Sequence, residues 1–512
     1  MSTESGLPPA ACDTKQTVHF RTPMGDGSAS GHLQAVMMGD ASEPGGKDGA
    51  RAKAGAAFAR ACLIAACLTF APAAALGQTL PEALVRAYQA NPQLNAERAK
   101  LRATDENVPQ ALAGYRPQIL ASLSGGMLAV RNLLPDNTVQ TANLRPWMIG
   151  VTVTQTLFNG FRTSNSVRVA EAQVKSGREA LRNVGQGVLL DAVTAYMNVL
   201  ANQTLVEAQR VNVGFYRETL GVTRKRLDAG DVTPTDTAQA EARLARASAD
   251  LNAAEVALAV SQATFEQVVG TPAVRLSQAE PVDRLLPRNR QDALAISARE
   301  HPAIVAAGYD VDVAENVIHV AESSLFPQVT LQGSASRSVQ TDTSLGTSRT
   351  DQVGIVGQVN VPVYDGGTAA SQTRQAKELA SQSRLVLDQV RGQTRTAVIS
   401  AWVANEGAKV AVAAAESEVR AATVALGGVQ REAQAGQRTT VDVLNAQQDL
   451  MQAKSRLIVA QRDRVIAAYT LLSATGHLDV KTLALNTPDY LPDVHYHQVR
   501  DAWHGLRTPS GR

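Results

Sequence analysis

Apolar and polar residues alternate with a period of two in two separate stretches of the chain. In the first stretch Ile149, Val151 and Val153 share one side, while glycine and threonine residues occupy the positions between them. A period of two with one apolar side is typical of β-strands. The sequence therefore predicts two hairpins, at 118–157 and 327–363, each made of two strands of about ten residues.

Strands of this length with one apolar face are typical of transmembrane β-barrels, although a soluble β-sandwich shows the same alternation. Four strands cannot close a transmembrane barrel, because the smallest barrels have about eight. An open sheet edge in lipid would leave backbone N–H and C=O groups without partners. If these strands span a membrane, several chains must therefore contribute to one barrel.

The segments after the two hairpins have a helical period. They contain no proline at 160–226 or at 366–434, so each could form a helix on the order of 100 Å long. Leucine then recurs every seven residues, as at Leu244 and Leu251, with alanine beside it. Sustained heptads with small residues predict helices packed as a coiled coil. In the matching series of the second half, Arg464 replaces one leucine.

The second half of the chain repeats the first. The offset is 210 residues before the hairpins and 206 after them. The features that return are Asn91-Pro92 as His301-Pro302, Arg116-Pro117-Gln118 as Phe326-Pro327-Gln328, and Ala229-Gly230 as Ala435-Gly436. A repeat near 200 residues is far longer than the 20–50 residues of a solenoid unit. We therefore expect a first structural repeat at 78–270, a linker at 271–290, a second repeat at 291–476 and a C-terminal tail at 477–512.

The start of the chain has the composition of a segment that is removed. Residues 1–50 lack apolar periodicity and are expected to be a leader outside the mature fold. Basic residues, a short apolar run and small residues follow at 51–77, which is the three-part pattern of a secretory signal peptide. All three cysteines lie within the first 67 residues. Cys67 resembles a lipoprotein acylation site, but it lies in the middle of the apolar run, so an ordinary signal-peptide cysteine is the preferred interpretation.

Charge and motifs argue against catalysis and nucleic-acid binding. The formal net charge is +2, which gives no reason to expect a nucleic-acid partner. His495, His497 and His504 lie in the tail, with no cysteine to complete the three or four ligands of a zinc site. Gly45-Gly46-Lys47 lacks the Ser or Thr of a phosphate-binding loop. We expect no enzyme activity, no metal and no cofactor.

Together these features are similar to the TolC family of outer-membrane export ducts over about residues 78–476. The motifs that carry the resemblance are Asn91-Pro92 with Pro117, Leu157-Phe158-Asn159-Gly160, Val363-Tyr364-Asp365-Gly366-Gly367, and the run from Ala435 to Leu444. The resemblance implies a mixed α and β membrane protein in the outer membrane of a Gram-negative bacterium. It also implies a homotrimer, in which four strands per chain form a twelve-stranded barrel continuous with a long α-helical coiled-coil barrel in the periplasm.

The resemblance also implies a function in export. Residues 99–117 resemble the type I secretion branch, whose members export proteins such as toxins. The implied partners are a periplasmic adaptor protein, an inner-membrane ABC-type transporter, the exported protein and outer-membrane lipid. A drug or small-molecule efflux duct shares this architecture and remains an alternative. A secreted coiled-coil scaffold or adhesin is a more distant one.

Site residues are expected where the long helices turn. In the family these turns form a periplasmic tip that opens for cargo, and Gly230 and Gly436 lie at the two turns of this chain. Arg438 matches the gate arginine of the family, and Thr235 and Asp236 match its partners. The resemblance therefore implies a periplasmic gate made by these three residues.

A ring of acidic residues is expected at the entrance to the tunnel. Asp442 matches the residue that lines this entrance in the family. Family members often have a second aspartate three positions later, where this chain has Asn445. We therefore expect a weaker acidic ring than is usual for the family.

Overall fold

The computed structural model describes residues 78–342 and 346–509. The expected leader, the signal peptide and Cys67 lie outside the described residues. The first half contains α1 (Leu80–Ala90), α2 (Pro92–Asp105), α3 (Asn107–Leu112), β1 (Gln118–Gly125), β2 (Leu128–Leu133), β3 (Val139–Asn159), α4 (Arg162–Asp228) and α5 (Pro234–Val269). The second half contains α6 (Arg290–Glu300), α7 (Pro302–Glu322), β4 (Gln328–Asp342), β5 (Gly346–Asn360), α8 (Thr368–Gln434) and α9 (Thr440–Ala474), and a short helix α10 (Pro492–Val499) follows in the tail.

The same order of elements occurs twice, and the equivalent long helices match in length. Helices α4 and α8 have 67 residues each, and α5 and α9 have 36 and 35. At about 1.5 Å per residue, α4 and α8 are each about 100 Å long. Internal glycines do not break α4; Gly177 lies against α2, where an added Cβ would be 3.1 Å from a methyl carbon of Leu101.

The strands form one antiparallel sheet in the order β1–β3–β4–β5, with β2 also paired to β3. Two hairpins form at the predicted places, but β3 has 21 residues and β4 and β5 have 15 each, which is longer than the ten or so predicted. The outer strand of the first hairpin is interrupted at Gly126 and Met127. Strands β1 and β2 pair with β3 in one continuous register, from Gln118 opposite Thr154 to Leu133 opposite Val139. β1 and β2 therefore occupy one strand position in the sheet, which we call a strand track. The described part of the chain contributes four such tracks, β1–β2, β3, β4 and β5.

The two faces of the sheet differ in polarity. Cross-strand register brings odd-numbered residues of all strands onto one face, where Ala121 lies opposite Val151, which lies opposite Ala335. The even-numbered face carries mostly serine, threonine and glutamine. Many apolar side chains of the odd face are exposed in the single chain; Leu123 is 76% and Val353 is 84% exposed. This face has the composition of a surface that contacts lipid.

The largest cluster of buried apolar residues lies where α1, the middle of α4 and the C-terminal ends of α5 and α9 meet. Tyr196, Phe265 and Leu472 are fully buried there. The Tyr196 hydroxyl lies 2.8 Å from the carbonyl oxygen of Gln78 and 2.6 Å from that of Ser277. The start of the described chain and the linker are therefore both attached to α4.

Each half ends in a glycine in the left-handed region, which terminates the last long helix. Gly270 has φ +83° and Gly476 has φ +86°. A Cβ on Gly476 would lie 2.8 Å from the Cα of His301 and 3.1 Å from the Cδ of Pro302. The second half therefore closes on its own His301-Pro302 turn through a contact that only glycine allows.

The tail packs back against the first half. Arg178 is 2.6 Å from Asp493, and His495 is 2.8 Å from the buried carboxylate of Asp105. Arg116 donates a 2.8 Å hydrogen bond to the carbonyl oxygen of Ala502. The sequence offered no role for this tail, and the structure places it as a strap across α2 and α4.

Candidate functional site

The two helix tips have nearly the same backbone geometry. Helix α4 ends at a turn containing Gly230 (φ +81°), and α8 ends at a turn containing Gly436 (φ +77°). The N–H of Asp231 donates to the carbonyl of Arg226 at 2.8 Å, and the N–H of Gln437 donates to that of Glu432 at 2.9 Å. These bonds to a carbonyl five residues earlier, with a left-handed glycine, form the Schellman ending of a helix. Gly230 and Gly436 therefore terminate α4 and α8 at these two turns.

Both outgoing helices begin with a capping box. The carboxylate of Asp236 accepts the Thr233 N–H at 3.0 Å and the Thr233 hydroxyl at 2.8 Å. Asp442 accepts the same pair from Thr439 at 3.0 and 2.9 Å. In each case the threonine hydroxyl accepts the aspartate N–H in return. Asp236, which was predicted for the gate, and Asp442, which was predicted for the acidic ring, therefore each have a structural role at a helix start.

The caps also set the charge of the two carboxylates. Hydrogen bonds from Thr233 hold the pKa of Asp236 below its usual value, and hydrogen bonds from Thr439 do the same for the pKa of Asp442. Hydrogen bonds to an ionised carboxylate favour the charged form. Both bonds go to the Oδ2 atom in each cap. Each tip therefore presents a carboxylate that is ionised at neutral pH and whose Oδ1 atom takes no part in the hydrogen bonds of the cap.

Within one chain, Arg438 pairs with a residue that the sequence analysis did not identify. Its Nε donates to Glu432 at 3.0 Å, across the turn of the same helical hairpin, and both side chains are about half exposed. The described chain contains no hydrogen bond from Arg438 to Thr235 or Asp236. A link of that kind between subunits stays a prediction.

The contacts that join the two helical hairpins lie further from the tip. Arg243 of α5 donates to Asn445 of α9 at 2.9 Å and to Gln448 one turn later. Gln447 of α9 donates at 2.9 Å to Asn212 of α4, and both of these side chains are buried. We call these five side chains the polar bridge.

A cluster of apolar side chains lies beside the polar bridge and also joins the two hairpins. Leu444 is 1% exposed and belongs to a cluster with Val213, Tyr216 and Leu220 of α4. The Tyr216 hydroxyl also lies 3.4 Å from the Leu444 carbonyl oxygen. Leu444 is the fifth residue of α9, so the cluster lies only about 6 Å along the helix from its first residue. The two hairpins are therefore held together immediately behind the tip.

In the sequence, Asn445 is notable only as a departure from the acidic pattern of the family. In the structure its side-chain oxygen is an acceptor for Arg243. The sequence contains only a weak indication of this pair, namely one arginine in α5 and three amide side chains close together in α9. Long-range polar pairs of this kind depend on how two helices pack, which spacing along one helix does not reveal.

The tail histidines occupy separate environments. His495 pairs with Asp105, and His497 makes an edge-to-face contact with Tyr496, with ring centroids 5.3 Å apart. Among residues 78–342 and 346–509, no group of three or more His, Cys, Asp or Glu side chains is arranged to hold a metal ion.

One helix in the described part of the chain, α4, is long and apolar enough to cross a membrane on length and composition alone. However, 61% of its most apolar window is buried inside the chain. Burial by protein is what a core helix shows, so we assign this segment to the packed centre of the helices.

Comparison with known proteins identifies the family. The pattern described as outer membrane efflux protein matches twice, at residues 83–271 and 294–477, which are the two halves of the chain. The outer membrane efflux protein BepC of Brucella suis is 41% identical over 440 residues, covering 86% of this chain and 94% of BepC. The alkaline protease secretion protein AprF of Pseudomonas aeruginosa is 26% identical over 344 residues, covering 66% and 71%.

Solved structures show the same fold. The CmeC outer membrane channel of Campylobacter jejuni superposes with a TM-score of 0.70 at 13% identity, covering 82% of this chain and 89% of CmeC. The resemblance stated from the sequence motifs is confirmed, and so is the expected location in the outer membrane. The chain belongs to the outer membrane efflux protein family.

Proposed function

We propose that three copies of this chain form a closed barrel in the outer membrane, continuous with a helical tunnel in the periplasm. The observation that carries the proposal is the sheet, which has one apolar face and two unpaired edge tracks, β1–β2 and β5. About half of the backbone groups of a 15-residue edge strand point away from the sheet. In lipid each of these groups would cost several kcal/mol. Four tracks from each of three chains close the edges.

The internal repeat supplies a register for the joint between subunits. Strand β3 meets β4 with Trp147 opposite Val339. Adding the offset of 206 residues to Trp147 gives Val353, and subtracting the offset of 210 residues from Val339 gives Ala129. The equivalent pair at the joint is therefore Val353 of one subunit and Ala129 of the next. Both are on the odd-numbered, apolar face. The proposed joint between β5 and the β1–β2 track therefore repeats the joint at the centre of the chain.

Export through such a duct needs an external source of energy. The family resemblance suggests an inner-membrane ABC-type transporter joined to this chain by a periplasmic adaptor protein. The long helices leave the sheet at one end, which suits a passive conduit between the two membranes. We propose that the cargo is a protein exported by type I secretion, supported by the similarity to AprF, an alkaline protease secretion protein.

A small-molecule efflux duct is the second candidate. It is favoured by the 41% identity to BepC, which is named as an efflux protein. Deleting the gene would distinguish the two: loss of a secreted protein with unchanged drug susceptibility supports protein export, and the reverse supports efflux.

Conductance and cross-linking test the duct itself. We expect the purified protein to behave as a trimer in mild detergent and to conduct ions in planar bilayers. No conductance from folded protein would favour a scaffold or adhesin. Because all three cysteines lie in the first 67 residues, introduced cysteines can be read without background after signal cleavage.

The cross-link tests the proposed register directly. Val353→Cys with Ala129→Cys should give a disulfide-linked trimer on denaturing gels, since directly opposed residues have Cβ atoms about 4.5–5.5 Å apart. The control pair is Val353→Cys with Val130→Cys, whose side chains point to opposite faces of the sheet. Equal cross-linking of both pairs would contradict the proposed joint.

A further inference from the structure

Four arginines lie on the apolar face of the sheet, all toward the end with the turns. Arg131, Arg145, Arg337 and Arg349 are odd-numbered residues of β2, β3, β4 and β5, and the register places them on the same face as Val151 and Val353. All helices join the sheet at the opposite end. We call these four arginines the arginine collar.

Strand geometry gives the height of the collar. Arg337 is nine residues from the start of β4 at Gln328. At about 3.3 Å per residue and a tilt of roughly 40°, it lies about 23 Å above the helical end of the sheet. The apolar band of an outer-membrane barrel is about 25 Å tall. Arg337 therefore lies at the upper edge of this band, and the other three arginines lie 11 to 14 residues from the helical ends of their strands, at the level where the headgroups of the outer leaflet begin.

Exposure and charge distinguish the collar from a buried ion-pair network. Arg337 and Arg349 both pair with Asp351, at 2.6 and 2.7 Å, and all three side chains remain about half exposed. Among the described residues, neither Arg131 nor Arg145 has an ion-pair partner. Four arginines and one aspartate leave an excess of three positive charges on the lipid-facing surface of each subunit.

The proposed joint between subunits would concentrate this charge. Carrying the β3–β4 register over to β5 and the next subunit places Arg131 of that subunit opposite Asp351, which is the equivalent of Arg145 opposite Thr341 within the chain. Three arginines then surround a single carboxylate at each joint. An arginine guanidinium can bind phosphate through two parallel hydrogen bonds, so such a group suits an anion with several oxygens.

We infer that the arginine collar binds the phosphate groups of outer-leaflet lipid, with the acyl chains of that lipid lying against the apolar band below. This occupant matches both parts of the surface, since it has phosphate at the level of the collar and hydrocarbon beneath it. The inference rests on the proposed trimeric barrel for the contribution of Arg131. A phosphorylated, acylated glycolipid of the lipid A type has this chemistry.

Native mass spectrometry of the purified trimer tests the inference. The probes are lipid A carrying two phosphates and the same lipid with its phosphates removed. We expect the wild type to bind the phosphorylated form at least tenfold more tightly. Arg337→Gln with Arg349→Gln should abolish most of that preference, while Arg284→Gln, a charge removal in the linker, should leave it unchanged.

Asp351→Asn separates lipid binding from simple ion pairing. It removes the negative charge that competes with phosphate, so we expect binding of phosphorylated lipid to increase several-fold. Weaker binding in this variant, equal affinity for both lipids, or a preference retained by the double variant would overturn the inference. Displacement by millimolar inorganic phosphate would show a site for free phosphate instead. Wild-type conductance measured in parallel tests the duct separately, because a conducting trimer without lipid preference contradicts only the collar.

Discussion

Replacing Arg243 by alanine should increase the fraction of time that the duct is open. Arg243 is the side chain that joins α5 to α9 through two acceptors, Asn445 and Gln448. If the tip opens by movement of the two helical hairpins away from each other, both hydrogen bonds must break. The variant removes these bonds from the closed state and breaks no described hydrogen bond within either hairpin.

The structure gives the size of the effect. Both bonds are partly exposed to solvent, so each contributes about 1 kcal/mol rather than the larger value of a buried charged bond. Two bonds give about 2 kcal/mol per chain, which is roughly a 30-fold change in the closed-to-open equilibrium of that chain. The buried Leu444 contributes a further 1.5–3 kcal/mol or so by its apolar burial. The variant should therefore loosen the tip without releasing it completely.

Single-channel conductance in planar bilayers is the measurement, with trimer mass checked in the same preparation. Arg246→Ala, one turn further along α5, is the matched control, because Arg246 is charged and exposed but makes no described hydrogen bond. Arg438→Ala tests the gate expected from the family resemblance. Its pair with Glu432 is exposed and lies within one hairpin, so the variant raises conductance only if Arg438 also binds Thr235 or Asp236 between subunits. Unchanged conductance in intact Arg243→Ala trimers would refute the role of the polar bridge.

Three further predictions concern charge and stability. Asp442→Asn should reduce cation selectivity in bilayers. In the wild type, the contribution of the Asp442 cap to the free energy of unfolding should be present above pH 3.8 and lost as the pH falls through the lowered pKa that Asp442 has in the folded state. Arg464→Leu restores the heptad but leaves the carboxylate of Asp283 in the linker without its partner. It should therefore lower the free energy of unfolding by about 2 kcal/mol in denaturant, whereas the control Arg462→Leu should have little effect. Gly476→Ala should cost more stability than Gly436→Ala in the same assay, since both glycines have positive φ but only the added Cβ of the first meets backbone, at 2.8 Å.

Much of the fold could be predicted because its periods are local. Alternation along the strands and heptads along the helices report which side of an element is buried, and both hairpins and all four long helices follow from them. The interruption of the first outer strand could not be predicted in this way. The alternation runs through Gly126 and Met127 unchanged, and the break is visible only in the pairing with β3.

Arg464 shows the limit of heptad reasoning. It occupies a leucine position and is 9% exposed, which by pattern alone would be a defect in the coiled coil. The structure supplies Asn405 of α8 at 2.8 Å and Asp283 of the linker at 2.5 and 2.6 Å. Neither partner is near Arg464 in sequence. A buried charge is tolerated when it is paired, and a pair separated by 181 residues cannot be read from spacing.

At the candidate gate, in contrast to Arg464, the important contacts are between residues close in sequence. Thr233 with Asp236 and Thr439 with Asp442 are three residues apart, so their capping boxes could have been recognised as local motifs. The family resemblance implies a role for the charge of the two aspartates, whereas the hydrogen bonds in the structure show that both also cap a helix. Removing either aspartate therefore changes both a cap and a charge, which is why asparagine is a better replacement than alanine.

The two kinds of contact at the tip suggest how the duct could open. Each hairpin is locked by a Schellman ending and a capping box, so its two helices and their turn form one rigid unit. The two hairpins are joined behind the tip by Leu444 and by a few hydrogen bonds from Arg243 and Gln447. Strong local bonds with weaker links between hairpins favour movement of a whole hairpin over unravelling of its end. A partner protein would then need to supply only a few kcal/mol of differential contact with the opened tip to shift the equilibrium.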